Sequence, residues 1–125
     1  MSYKPKDFLV WGELPVRDME KAIAFYAEVT GATPELDPNA PHPMAVFKPA
    51  DPATGVALHL YPGKPAQQGQ GPTLHLAADG ALEDVMTRVE KAGGKVVSDP
   101  IQIPAGRFFY ATDPDGNSVG FFEGT

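Results

Sequence analysis

The chain has 125 residues, of which 42% are hydrophobic, with 10 Lys+Arg against 16 Asp+Glu and no cysteine. That length and apolar content suit one packed domain and exclude wholesale disorder. The net charge of −6 argues against nucleic acid or an anionic membrane as partner, both of which select a basic face, and the lack of cysteine excludes disulfides, thiolate zinc sites and Cys nucleophiles.

The first seven residues, Met1 to Asp7, put no apolar stretch behind Lys4 and Lys6, so no signal peptide is expected there. No apolar run approaches the roughly 20 residues of a membrane span. The expectation is a cytoplasmic protein. Phe8 to Leu14 reads as a strand. Asp18 is a candidate N-cap, and Met19, Ala22, Ile23, Tyr26 and Val29 follow at helical spacing until Gly31 stops the run. Three short strand candidates come next, at about 32–36, 44–48 and 56–61. Residues 63–72 are polar and aperiodic, so they read as a linker.

Beyond it the same order returns. Thr73 to Ala77 is a strand candidate, and Asp79 or Gly80 opens a helix carrying Leu82, Val85, Met86 and Val89. Gly93-Gly94 closes it. Strand candidates follow at about 95–98, 106–112 and 117–123, the last two joined by the turn Asp113-Pro114-Asp115-Gly116-Asn117. Each half therefore reads β-α-β-β-β. Sliding the chain by 62 residues aligns Leu14 with Leu76, Glu28 with Glu90, Gly31 with Gly93 and Phe47 with Phe109. It also aligns Asp37-Pro38 with Asp99-Pro100 and Asp51-Pro52 with Asp113-Pro114. About three identities would arise by chance at ordinary composition, so the matching order of elements carries more weight than the count. One domain spanning 1–125 is expected, of two modules at about 7–62 and 70–123. Its fold class is α+β, with a curved mixed sheet around a cup and the helices on the outer face.

This duplicated pattern resembles the vicinal oxygen chelate superfamily, the glyoxalase, bleomycin-resistance and extradiol-dioxygenase group. The likeness rests on Glu13-Leu14-Pro15-Val16-Arg17-Asp18, Ala24-Phe25-Tyr26, Gly31, Gly106-Arg107 and Asp113-Pro114-Asp115-Gly116-Asn117. Metal-dependent members of that group hold a divalent ion with His and Glu side chains from four strands, leaving an open position to polarise substrate. The resemblance carries those positions to Trp11, Leu58, Thr73 and Gly120 here. None offers a customary ligand, so no metal and no cofactor are expected. A one-residue slip would bring in His59, but strand alternation turns His59 away if Leu58 points in.

Strand parity then lists the cup wall as Trp11, Glu13, Val46, Lys48, Leu58 and Leu60 in the first half. In the second half it gives Thr73, His75, Phe108, Tyr110, Gly120 and Phe122. An apolar, aromatic hollow with sparse polar groups suits a small organic molecule. Trp11 either fills the space of the missing metal or stacks on a planar or cationic ligand. Glu13 is either salt-bridged or edge-exposed, or it orients a cationic or hydroxylated ligand or acts as a base. His75 is its repeat mate, and the resemblance implies that the two module-leading strands lie side by side, so a Glu13–His75 contact is expected, either as a structural bond or as an acid–base pair. Tyr110 is a core aromatic or a ligand contact, and Lys48 is read as solvated. Arg107 has the opposite parity and pairs structurally or at a rim. His42 is a loop histidine.

The main expectation is a metal-free binder of a small aromatic or cationic compound, with Trp11, Glu13, Lys48, Leu58, Thr73, His75, Phe108, Tyr110 and Phe122 as contacts. A cofactor-independent lyase or isomerase using His75 and Glu13, and a metal-dependent lyase or dioxygenase of the same superfamily, are the alternatives. The resemblance also implies a homodimer.

Overall fold

The structure is a computed structural model and describes residues 2–37 and 43–124. Pro38, used in the repeat alignment, and the loop histidine His42 lie outside the described residues. The elements run β1 (Trp11–Val16), α1 (Met19–Thr30), β2 (Glu35–Leu36), β3 (Ala45–Phe47) and β4 (Ala57–Pro62). They continue with β5 (Leu74–Ala77), α2 (Leu82–Lys91), β6 (Lys95–Val96), β7 (Ile101–Ile103), β8 (Gly106–Thr112) and β9 (Ser118–Gly124). This is the α+β class expected, with one difference: the second half gains β7. Ile101-Gln102-Ile103 alternates correctly for a strand, but Pro100 and Pro104 on either side mark it as a turn region by composition. It pairs with β8, Ile103 opposite Gly106.

Among the described residues the strands form two mixed sheets and no closed barrel. One has the order β1-β4-β3-β2, and the other β5-β9-β8-β6 with β7 also on β8. In each, the module's first strand lies parallel to its last: Leu14 opposite Leu60, Leu76 opposite Phe121. β1 begins at Trp11 rather than Phe8 because β4 supplies no partner before Ala57. A strand segment without a ladder leaves its backbone groups to water.

α1 is built as its sequence requires. The Asp18 carboxylate accepts from the Lys21 N–H at 3.1 Å. Gly31 ends the helix at φ 82°, a left-handed turn that costs glycine little. α2 differs, because its N-cap is Ala81, which has no capping side chain. Glu123 of β9 replaces it, its Oε2 accepting the Leu82 N–H at 2.9 Å.

Both helices cover one face of the sheets. Leu14, Val16, Leu58, Leu60, Phe109, Ala111, Val119 and Phe121 from the strands share a single core with Ala22, Phe25, Tyr26, Val29, Leu82, Val85 and Val89 from the helices. Gly94 permits α1 to reach the second module, since a Cβ there would lie 2.6 Å from the Phe25 ring. The two segments that carry the family resemblance also meet. The Asp115 carboxylate accepts the Arg17 backbone N–H at 3.0 Å, and Asn117 Nδ2 donates to the Pro15 carbonyl at 2.9 Å.

Candidate functional site

Among the described residues no helix covers the opposite face of either sheet. Register defines what it displays, because directly paired residues share a face. Across the first sheet one row runs Glu35, Val46, His59, Glu13, with Trp11 two residues before Glu13. Across the second, one row runs His75, Gly120, Tyr110, and another runs Ala77, Phe122, Phe108, Ile101.

His59, not Leu58, therefore stands on the open face. Leu58 and Leu60 are buried against α1 at 8% and 0% exposure. Although Leu58 still borders a cavity between the sheets, the reading that put both leucines on the open face is corrected. Its cause is a register change inside the repeat. Leu76 lies 62 residues after Leu14, but Phe121, the partner of Leu76, lies 61 after Leu60, the partner of Leu14. The preceding turn is longer in the first half. There the Gly55 N–H reaches back to the Asp51 carbonyl, whereas in the second half it is Gly116 that reaches Asp113. One additional residue exchanges the faces of a strand. The structural mate of Gly120 is thus His59.

The polar contacts are specific. The Trp11 indole is half-exposed and stacks on His59, centroids 5.8 Å apart and planes 9° from parallel. Its Nε1–H donates to Glu13 Oε1 at 3.1 Å. The Glu13 carboxylate thus bonds to the indole, and the expected Glu13–His75 contact is not formed. Lys48 ion-pairs with Glu35 at 3.1 Å, both exposed. Thr73 shares a 2.6 Å hydrogen bond with the Ser118 hydroxyl.

On the second sheet His75, Phe108 and Tyr110 form a triangle of edge-on rings with centroids 5.2, 5.5 and 5.4 Å apart. Phe122 lies beside Phe108 in register. Arg107 turns to the helix side, where it bonds Glu83 and Glu123. That network holds the Glu83 carboxyl down at about 2, chiefly through the Arg107 hydrogen bonds.

A cavity of about 630 Å³ lies between β1 and β5. Leu58, Thr73 and His75 line it, along with Gly12, Leu74 and Phe8. Trp11, Glu13, Lys48, Phe108, Tyr110 and Phe122 lie outside it, on the open faces. The site residues are therefore split between that cavity and two aromatic surfaces.

Among the described residues no three His, Cys, Asp or Glu side chains come together to hold a metal ion. With the register corrected, the four positions implied by the family are Trp11, His59, Thr73 and Gly120. One imidazole and one neutral hydroxyl, itself bonded to Ser118, do not fit a divalent site.

The profile of the Glyoxalase/Bleomycin resistance protein/Dioxygenase superfamily matches residues 9–121. The chain belongs to this superfamily. Among curated proteins, "Putative glyoxylase CFP32" of Mycobacterium tuberculosis is 32% identical over 111 residues, covering 86% of this chain and 41% of that protein. The chain thus spans about two fifths of the length of that relative. Among solved structures, the antibiotic-binding protein TnmS3 from Streptomyces sp. CB03234 is similar at TM-score 0.66 and 25% identity, over 98% of this chain and all of that one. The fosfomycin resistance protein FosX of Listeria monocytogenes has TM-score 0.71 and 17% identity over 98% and 94% of the two chains, a likeness of fold. No helix among the described residues is long and apolar enough to cross a membrane.

Proposed function

We propose that the chain binds a small organic molecule, aromatic or cationic, on its open sheet faces without a metal ion. The observation that carries this reading is the half-exposed Trp11 stacked on His59 with the Glu13 carboxylate on its indole nitrogen. A pre-stacked ring pair is a flat platform already fixed in place, so a planar ligand loses little by ordering it. Glu13 keeps its second oxygen for a cationic group, and the Trp11 face attracts cations as well. Phe108, Tyr110 and Phe122 supply the apolar remainder, His75 adds an imidazole among them, and Thr73 borders it. The resemblance to an antibiotic-binding protein supports sequestration rather than turnover.

The test is a thermal-shift screen of planar aromatic amines against the wild type and Glu13→Gln. Hits that are cationic and lose affinity in Glu13→Gln support the reading. Hits indifferent to Glu13→Gln and to Trp11→Ala sink it. Manganese, nickel and zinc salts belong in the same screen, because a specific metal would raise the melting temperature by mass action.

The working unit is proposed to be a cytoplasmic homodimer. Support comes from the exposed apolar run Phe8, Leu9 and Val10, next to β1 and β5, the terminal strands of their sheets. Contiguous apolar surface of this kind marks contact sites. Light scattering across a concentration series reads the oligomer directly.

A further inference from the structure

Gly120 lies inside β9, where a glycine forfeits side-chain packing and loosens the strand. It takes no left-handed φ, so backbone conformation does not call for it. Space does. A Cβ on Gly120 would fall 2.6 Å from His75 Cε1 and 3.1 Å from His75 Cγ. The imidazole of the neighbouring strand lies in the place where the Gly120 side chain would be, and Phe108 and Tyr110 brace it at 85° and 63°.

The first module solves the same position differently, since there the last strand itself carries the imidazole, His59. Each sheet presents one imidazole, from β4 in one case and β5 in the other. His75 rests its Nδ1–Cε1 edge on Gly120, and among the described residues no protein group hydrogen-bonds its Nε2. Around it stand Tyr110, Phe108 and Phe122.

We infer that Gly120 is a positioning residue: its bare Cα seats the His75 ring against β9 and leaves Nε2 as the directional polar contact of an otherwise aromatic surface. The ligand class this fits is an aromatic ring system bearing a hydroxyl or carbonyl oxygen. This inference rests on the small-molecule reading proposed above.

The experiment is a double-mutant cycle on the full chain with Gly120→Ala, His75→Ala and both together, read by melting temperature and by 2-naphthol binding followed through the His75 imidazole NMR signals. In the wild-type background Gly120→Ala should lower the melting temperature by roughly 4 °C or more and displace the His75 ring signals. In the His75→Ala background the same change should be neutral or stabilising, because alanine suits a strand better than glycine once the ring is gone. Naphthol binding should weaken at least about fivefold in Gly120→Ala, the loss of one hydrogen bond. Should Gly120→Ala not fold alone, refolding of the double variant gives the same support. Equal destabilisation in both backgrounds, or no rescue, overturns the seating of His75. An opposite-sign result with naphthol affinity unchanged overturns the ligand contact alone. If 2-naphthol and the aromatic amines all fail to bind the wild type, the small-molecule reading fails while the seating of His75 stands on the melting temperatures.

Discussion

The Tyr26 hydroxyl of α1 donates to Asp113 Oδ2 at 2.8 Å, across 87 residues of chain. Both groups are buried, at 0% and 4% exposure. Asp113 also takes the backbone N–H groups of Asp115 and Asn117 and the Asn117 side-chain amide. One carboxylate thereby shapes the β8–β9 turn and ties it to the first module's helix. A buried charge is tolerable only when its lone pairs are filled in this way.

Tyr26→Phe should therefore cost about 1.5–3 kcal/mol, the range for hydrogen bonds to charged groups, measured by urea unfolding at neutral pH. The same bond has an alkaline signature. Burial, then the Asp113 charge, raises the Tyr26 hydroxyl well above its ordinary value of 10.0. The folded state keeps the phenol neutral while the unfolded chain ionises. Stability from this group is intact below pH 10 and falls as pH climbs past it. Tyr26→Phe should flatten that part of the alkaline decline, and an identical slope in both proteins would contradict the assignment.

Arg107 joins three elements through two carboxylates. Its guanidinium bonds Glu83 at 2.7 and 3.1 Å and Glu123 at 2.9 and 2.7 Å, and Glu123 caps α2. The Glu83 carboxyl is held down at about 2 from an ordinary 4.5. A depressed folded value means stability is present above pH 4.5 and lost as pH falls toward 2. Glu83 is exposed, so solvent screening keeps the effect modest. The expected result is a steeper fall in melting temperature between pH 5 and pH 3 for the wild type than for Arg107→Gln. Salt at 0.5 M should narrow the difference. Parallel curves would remove the ion network from the acid response.

Local signals made much of this fold legible. Asp18, the 3.6-residue apolar period and Gly31 placed α1 within a residue, because a capped amphipathic helix is encoded in its own segment. The parity of β1, β5, β8 and β9 was readable for the same reason. Failures came where the deciding partner is distant. Phe8 to Val10 has strand composition, but whether it joins a ladder depends on where β4 begins. The cap of α2 comes from Glu123, which nothing near Ala81 announces. His59 was misplaced because a gapless repeat hides an added turn residue. Comparing the two turns, Asp51 to Gly55 against Asp113 to Gly116, is the one sequence signal that could have exposed the slip. The meeting of Pro15 and Arg17 with Asp115 and Asn117 was written in two motifs whose proximity only the fold supplies.

Trp11 is the single tryptophan of the chain, so its fluorescence reports on the proposed platform without labelling. In the free protein the half-exposed indole, bonded to Glu13 and stacked on His59, should emit at a wavelength between buried and fully hydrated tryptophan. His59→Ala removes one face of the stack and leaves the other to water, so emission should shift toward longer wavelength with little change in global stability, since His59 contributes no buried apolar core. Glu13→Gln keeps the shape and an acceptor oxygen, so emission should stay near that of the wild type while affinity for a cationic aromatic amine falls about two- to fivefold, the loss expected for one exposed charge contact. A bound planar amine should quench Trp11 in the wild type and protect it from iodide or acrylamide. If the ligand shifts the melting temperature yet leaves Trp11 emission and quencher access unchanged, the binding surface is the His75, Phe108 and Tyr110 face alone. The Trp11–His59 stack then serves only to cover the open end of β1.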